Sequence, residues 1–143
     1  MMEGVDRVIC TGSQNNVYRA QTCGTPAVAV GAGNVTVIVD ETADLTAAAE
    51  KITASKTFDN ATSCSSENEV IVVDAVYDAF VAEMAKAGGA LVQDEARIIN
   101  ALWPDGHLNR EVIAQDADKM LKALGFADEV PADTKFLAVE TTG

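Results

Sequence analysis

The chain has few of the residues that metal sites, disulfide frameworks and nucleic-acid-binding surfaces need. Its 143 residues include one histidine and three cysteines, which are odd in number and show no C-x-x-C spacing. We therefore expect neither a metal site nor a disulfide framework, and a reducing compartment fits best. Ten basic residues stand against 22 acidic ones, giving a net charge of −12. Because polyanions are bound by basic patches, we expect no nucleic-acid or anionic-membrane partner.

Long apolar runs are missing as well. No run approaches the length of a membrane span, and no signal peptide is recognisable, so we expect a cytoplasmic protein with no membrane partner. A glycine-rich dinucleotide fingerprint, in which Gly-x-Gly-x-x-Gly joins a strand to a helix, is also missing. The length is sufficient for one core and one domain.

Short strands alternate with helices along the chain. Apolar runs and period-2 patterns indicate the strands, and apolar positions at 3.6-residue spacing indicate the helices. This order predicts an α/β fold, a mainly parallel sheet with flanking helices. The predicted strands cover residues 5–11, 27–30, 35–39, 70–73 and 135–139, and the predicted helices cover 16–22, 44–58, 75–87, 93–103 and 109–124.

Cys64 has unusual neighbours for a cysteine. It is surrounded by Thr62, Ser63, Ser65 and Ser66, whereas a structural cysteine usually has Val, Leu or Ile beside it. Small neighbours leave the backbone N–H groups near the sulfur open, and a reactive thiol needs access and polar surroundings. Such N–H groups could also hold the oxyanion that forms when a thiol attacks a carbonyl. Lone cysteines are more often inert core residues, so this pattern alone leaves both interpretations open.

Three ordered segments resemble one enzyme family. Ser55-Lys56-Thr57-Phe58-Asp59-Asn60, followed by Cys64 and Glu67, closely resembles the nucleophile region of CoA-acylating aldehyde dehydrogenases. Two upstream segments, residues 30–34 and 37–45, match the same family in the same order. The resemblance implies part of the aldehyde dehydrogenase catalytic domain. It also implies NAD(P)-dependent oxidation of a small aldehyde to an acyl-CoA, with NAD or NADP as cofactor, coenzyme A as co-substrate and Cys64 as the catalytic nucleophile that carries the thioacyl group.

The resemblance also gives expectations about extent and substrate. Members of the family are much longer, so we expect a fragment or a truncated reading frame. In this interpretation residues 1–24 are the tail end of the dinucleotide-binding domain and residues 25–143 are a partial catalytic domain. Acetaldehyde, succinate semialdehyde and sulfoacetaldehyde are candidate substrates, and the polar run at 61–66 looks most like that of the sulfoacetaldehyde enzymes.

Two glycine segments are candidate cofactor contacts. Thr11-Gly12-Ser13 looks like the loop that passes under the nicotinamide in this superfamily, although Gln14 stands where members usually have further glycine. Gly31 opens the segment Gly31-Ala32-Gly33-Asn34, which has two interpretations. One is close approach to a ligand, and the other is a tight turn between buried strands where only glycine tolerates the backbone angles.

Ala29 distinguishes this chain from hydrolytic relatives. Those enzymes carry a glutamate two residues before the glycine pair, and it activates the water that releases the acid. Our alignment puts Ala29 at that place, and no carboxylate follows until Asp40. A thiol acceptor such as coenzyme A needs less help than water because it is the better nucleophile.

Other interpretations remain. The chain could be a non-catalytic α/β module or inactive fragment acting only in assembly, since an unpaired strand at 135–139 would invite pairing with another copy. We accordingly expect a homo-oligomer. A Cys64–His107 pair would indicate a cysteine hydrolase, but His107 follows Pro104-Asp105-Gly106 and looks like a turn residue.

Overall fold

The computed structural model describes residues 2–141 and contains, within that range, five α-helices and six strands. The order of elements alternates, as the sequence pattern predicts. The strands are β1 (Val8–Thr11), β2 (Ala27–Val30), β3 (Thr36–Val39), β4 (Glu69–Val72), β5 (Gly89–Val92) and β6 (Phe136–Val139). The helices are α1 (Gln14–Thr22), α2 (Leu45–Thr57), α3 (Tyr77–Ala87), α4 (Glu95–Leu102) and α5 (Ala117–Leu124).

All strand pairing among the described residues is parallel. β1 pairs with β2, β3 with β4 and β5 with β6, so the strands form three two-stranded sheets rather than one continuous sheet. Each pair is connected through at least one helix, as parallel strands require. The predicted α/β class with parallel strands and flanking helices is confirmed.

The chain divides into two compact units, and the first ends at Asn34. It contains β1, α1 and β2. The side chain of Ser13 caps α1 by accepting a hydrogen bond from the Asn16 N–H, at 3.4 Å. Val17 and Ala20 form the buried face of α1. Gly24, with φ of 83°, follows the helix in the left-handed conformation that glycine favours, which confirms the predicted stop signal.

The second unit begins at Val35 and contains two apolar cores. In the first, α2 packs on α3 beside β3 and β4. Asp44 begins α2 as predicted, because its carboxylate accepts a hydrogen bond from the Ala47 N–H at 3.0 Å. The buried side chains of this core are Val39, Ala49, Ile52 and Phe80.

The second core of this unit joins α4 and α5 to β5 and β6. Helix α5 is capped by Gly125, whose φ of 76° lets its N–H reach the Leu121 and Lys122 carbonyls. The buried side chains of this core are Val92, Ile98, Val112, Leu121, Leu124 and Phe126.

Two predicted elements need correction, and one strand was not predicted. The helix predicted over 109–124 covers only Ala117–Leu124, because Ala114 has a left-handed backbone with φ of 54°, which interrupts a helix. The strand predicted from residue 5 begins at Val8. β5 was not predicted, since four apolar residues that directly follow a helix are too short to show a period of their own.

Candidate active site

Cys64 lies in the loop between α2 and β4, and its side chain is exposed. We call residues 58–66 the nucleophile loop. Immediately after α2 the backbone makes a turn in which Asp59, Asn60 and Ala61 have φ of 51°, 51° and 59°. Three successive left-handed residues without glycine are rare, because each brings Cβ close to a carbonyl oxygen. The direction in which the chain approaches Cys64 is therefore set by a strained backbone.

Side-chain hydrogen bonds hold this turn from both sides. The Thr62 hydroxyl lies 2.6 Å from the Asp59 carbonyl oxygen and 2.8 Å from Asp59 Oδ2. The Asn60 amide donates from Nδ2 to the Ala114 carbonyl oxygen at 3.2 Å. Ala114 is the left-handed residue that precedes α5. The nucleophile loop is thus tied to a segment far away in the sequence.

Hydroxyl groups lie on both sides of Cys64. Ser63 Oγ and Ser65 Oγ are 2.9 Å apart, and the Ser66 N–H donates to the Ser63 carbonyl at 3.1 Å. Ser66 is only 1% exposed, and its Oγ has no hydrogen-bond partner among the described residues. Within the same range, the Cys64 N–H donates to no backbone carbonyl. The thiol therefore has polar neighbours and an available amide beside it.

The base of the loop is closed by charged side chains. Lys56, in the last turn of α2, donates from Nζ to Asn68 Oδ1 at 3.3 Å. Burial lowers the pKa of Lys56, and the negative charge of Glu67 partly opposes that effect. Glu67 Oε2 is buried and, among the described residues, accepts no hydrogen bond. Lys56 and the Glu67–Asn68 pair therefore bring the two ends of the loop together.

Of the candidate nicotinamide contacts, Thr11 is the last residue of β1, and Gly12 and Ser13 follow it in the first unit. Gly12 has φ of 117°, which favours glycine, and a Cβ built there would have no atom within 4 Å. Ser13 uses its side chain to cap α1. The assignment of these three residues to the nicotinamide stays a prediction.

The structure around Gly31 does not support the tight turn that was one of the two interpretations of its segment. Neither Gly31 nor Gly33 has a positive φ, so the backbone angles do not require glycine there. The strands on either side, β2 and β3, pair with other strands and not with each other. A Cβ on Gly31 would lie 2.5 Å from Gln14 Nε2, so the close neighbour is a protein side chain. The assignment of Gly31 to cofactor binding stays a prediction.

Ala29 and Asp40 both make contacts that belong to the fold. Ala29 pairs with Cys10 in the β1–β2 register. Asp40 accepts hydrogen bonds from the Thr42 hydroxyl at 2.7 Å and from the Thr42 N–H at 2.9 Å. These bonds lower the pKa of Asp40, so the carboxylate stays ionised and serves the turn before α2.

His107 lies exposed at the end of a turn, where its N–H donates to the Pro104 carbonyl at 3.2 Å. No hydrogen bond joins it to Cys64 within residues 2–141, so the structure offers nothing in favour of a cysteine hydrolase. The same residues contain no cluster of three potential metal ligands among His, Cys, Asp and Glu. None of their helices is long and apolar enough to cross a membrane.

Comparison with known proteins reveals relatives along the whole chain. Residues 1–103 match the aldehyde dehydrogenase family. The acylating sulfoacetaldehyde dehydrogenase of Cupriavidus necator is 46% identical over 145 residues, and the match covers 100% of this chain and 29% of the relative. The bifunctional aldehyde-alcohol dehydrogenase of Escherichia coli is 40% identical, over 96% of this chain and 16% of the relative.

Solved structures agree. The acetylating aldehyde dehydrogenase of Geobacillus thermoglucosidasius superimposes with a TM-score of 0.89 at 31% identity, covering 99% of this chain and 32% of that one. The chain thus spans less than a third of the length of the curated relatives named above. The resemblance to acylating enzymes, inferred from the segments around Cys64, is confirmed by these relatives. The chain belongs to the aldehyde dehydrogenase family.

Proposed function

We propose that this chain carries the nucleophile region of an NAD(P)-dependent, CoA-acylating aldehyde dehydrogenase, with Cys64 as the catalytic residue. The observation that supports this most directly is the exposed Cys64 thiol in a polar loop, beside a backbone N–H that donates to no backbone carbonyl among the described residues. Relatives named as acylating enzymes match this chain over nearly its whole length at 44% and 46% identity.

The proposed chemistry begins at the Cys64 sulfur. The thiolate adds to the aldehyde carbonyl and forms a thiohemiacetal, whose oxygen carries the developing negative charge. We expect the Cys64 N–H to stabilise that oxygen, because such a donor is strongest where charge develops. Loss of hydride from the same carbon leaves a thioester on Cys64. Coenzyme A, having lost its thiol proton to solvent, then attacks the thioester as a thiolate, forms acyl-CoA and releases the Cys64 thiolate.

NAD or NADP, when bound, supplies the hydride acceptor. Thr11, Gly12, Ser13 and Gly31 are the residues that we assign to it, on the basis of the resemblance of their two segments to the family. A structural relative, an engineered glycolyl-CoA reductase, was solved with NADP+, and a propionaldehyde dehydrogenase from Rhodopseudomonas palustris was solved with CoA and an acylated cysteine. These ligands fit the proposed cofactor and co-substrate.

The substrate that we propose is a small aldehyde with a polar or anionic end, such as sulfoacetaldehyde. Hydroxyl groups on both sides of Cys64 can hydrogen-bond a charged head group, and the Ser63–Ser65 pair lies exposed. Two acylating sulfoacetaldehyde dehydrogenases, from Cupriavidus necator and Bilophila wadsworthia, are among the relatives, and their matches cover 100% and 98% of this chain. The cytoplasmic location, the homo-oligomer and the domain boundary after residue 24 remain predictions.

The test uses an activated ester, because acylation of the thiol by p-nitrophenyl acetate requires no nicotinamide. We expect one acetyl group on Cys64, detected by mass spectrometry of the whole chain and its peptides, and faster loss of this group to coenzyme A than to water. The second expectation follows from Ala29, which cannot act as the base that water needs.

Cys64→Ala should abolish this acetylation, whereas Cys10→Ala and Cys23→Ala should retain it. Acetylation that persists in Cys64→Ala at the original rate would show that the nucleophile assignment is wrong. Release to water as fast as release to coenzyme A would contradict the acylating assignment and leave the nucleophile assignment standing.

A further inference from the structure

We propose that Asn60 is a positioning residue for Cys64, acting through its hydrogen bond to the Ala114 carbonyl oxygen. This proposal rests on the proposed role of Cys64 as nucleophile. It goes beyond the thiol chemistry by giving a role to Asn60 and to the connection between the nucleophile loop and the segment before α5. The bond joins positions 54 residues apart, at 3.2 Å.

The first argument is the strain of the turn that Asn60 occupies. Asp59, Asn60 and Ala61 are all left-handed, and a non-glycine residue keeps that conformation only where its surroundings impose it. The Thr62 hydroxyl holds Asp59 from within the loop. The Asn60 amide adds a restraint from outside the loop, so that the turn cannot relax without breaking a long-range contact.

The second argument is the chemistry of asparagine at this place. Asparagine tolerates the left-handed region better than most residues, and its amide can donate a hydrogen bond at the same time. Ala114 is itself left-handed, with φ of 54°, and it lies exposed in the segment before α5. Both residues joined by this hydrogen bond, Asn60 and Ala114, have a left-handed backbone. This indicates that the contact is a defined feature of the fold.

The third argument is the short path from the tether to the thiol. Three residues separate Asn60 from Cys64, and two of them, Thr62 and Ser63, are fixed by the hydrogen bonds described above. A rotation at Asn60 is therefore transmitted along a stiff segment to the Cys64 sulfur and its N–H. An error of about 1 Å in such a placement is enough to slow a reaction about a hundredfold.

Two reactions of the same thiol separate positioning from simple accessibility. Alkylation by iodoacetamide needs an exposed thiolate and no oxyanion stabilisation. Attack on p-nitrophenyl acetate also needs the ester oxygen to lie against backbone N–H groups. Both rates are measured on the full chain carrying Cys10→Ser and Cys23→Ser, so that Cys64 is the one thiol present. The ratio of acetylation to alkylation rates is the readout, since a general loss of structure changes both.

We expect Asn60→Ala and Asn60→Gly each to lower this ratio about tenfold, with little change in alkylation. Glycine retains the left-handed backbone and removes the donor, so it isolates the hydrogen bond and remains informative if the alanine variant unfolds. Asn100→Ala makes the same chemical change on the exposed side of α4 and should leave the ratio unchanged.

An unchanged ratio in Asn60→Gly would overturn the proposal, even if Asn60→Ala lowered it, because the backbone conformation alone would then be responsible. Absence of acetylation in the parent chain would overturn the nucleophile assignment together with this proposal. A normal parent rate with unaffected variants would overturn only the role of Asn60.

Discussion

At the scale of single residues, Lys56 is a charged side chain that is partly buried and also makes a hydrogen bond across the nucleophile loop. It lies half-buried at the end of α2, where burial lowers its pKa below the usual value of 10.5. Its Nζ donates to Asn68, across the base of the nucleophile loop. The residue therefore closes the loop and at the same time destabilises the folded state while it is charged.

This conflict predicts a pH dependence of stability. Between the lowered pKa of folded Lys56 and 10.5, the unfolded chain binds more protons, so the free energy of unfolding rises with pH in that window. Relative to Lys56→Met, the parent chain should gain stability between pH 7 and pH 10. Urea unfolding of both proteins at these pH values measures the difference, in which the other titrating groups cancel. A difference that is constant or falls with pH would contradict the burial of the ammonium group.

At the scale of elements, α2 and the turn that follows it have opposite backbone handedness. α2 ends at Thr57, and within four residues the chain passes into the left-handed region at Asp59–Ala61. Right-handed helix is the default for L-residues, so alanine is favourable before the boundary and unfavourable after it. Ala54 and Ala61 are exposed residues of the same type on the two sides of this boundary.

Glycine at these two positions should change stability in opposite directions. Ala61→Gly should raise the free energy of unfolding by about 1 kcal/mol, since glycine adopts a positive φ without steric cost. Ala54→Gly should lower it by about 1 kcal/mol, since glycine is the weaker helix former. Thermal and urea unfolding of the two variants decide the signs. Destabilisation by both changes would show that the turn at 59–61 is not left-handed in solution.

At the scale of the whole molecule, each compact unit leaves an apolar sheet face uncovered. In the first, Ile9, Val28 and Val30 are exposed on β1 and β2. In the second, Ile38 and Ile71 stand opposite each other on β3 and β4 and are 71% and 49% exposed. Parallel sheets in proteins are normally covered on both faces, so surfaces of this kind favour association.

We therefore expect the chain to bind the apolar dye ANS and to self-associate with increasing concentration. Replacing both Ile38 and Ile71 by Thr should reduce dye fluorescence and shift sedimentation towards the monomer, because threonine retains the preference for strands while removing apolar surface. Ile113→Thr, in an exposed loop, is the matched control and should change neither property. Equal dye binding in the double variant and the parent would exclude this face as the associating surface.

The sequence by itself determined the features that depend on neighbouring residues. The alternation of strands and helices, the cap at Asp44, the glycine after α1 and the polar loop around Cys64 all follow from residues within about one turn of each other. Capping, helix periodicity and turn chemistry act over such short distances, so a local pattern is sufficient to predict them. The family, too, was recognisable from three short segments.

Only the tertiary structure decided the features that join distant positions. Asn60 and Ala114 are 54 residues apart, and nothing local to either predicts their hydrogen bond or the left-handed turn that it restrains. The close neighbour of Gly31 is the end of the Gln14 side chain, which belongs to a different element. β5 becomes a strand because β6, more than forty residues later, pairs with it. Contacts of this kind depend on which surfaces the completed fold brings together, and a local pattern carries no information about them.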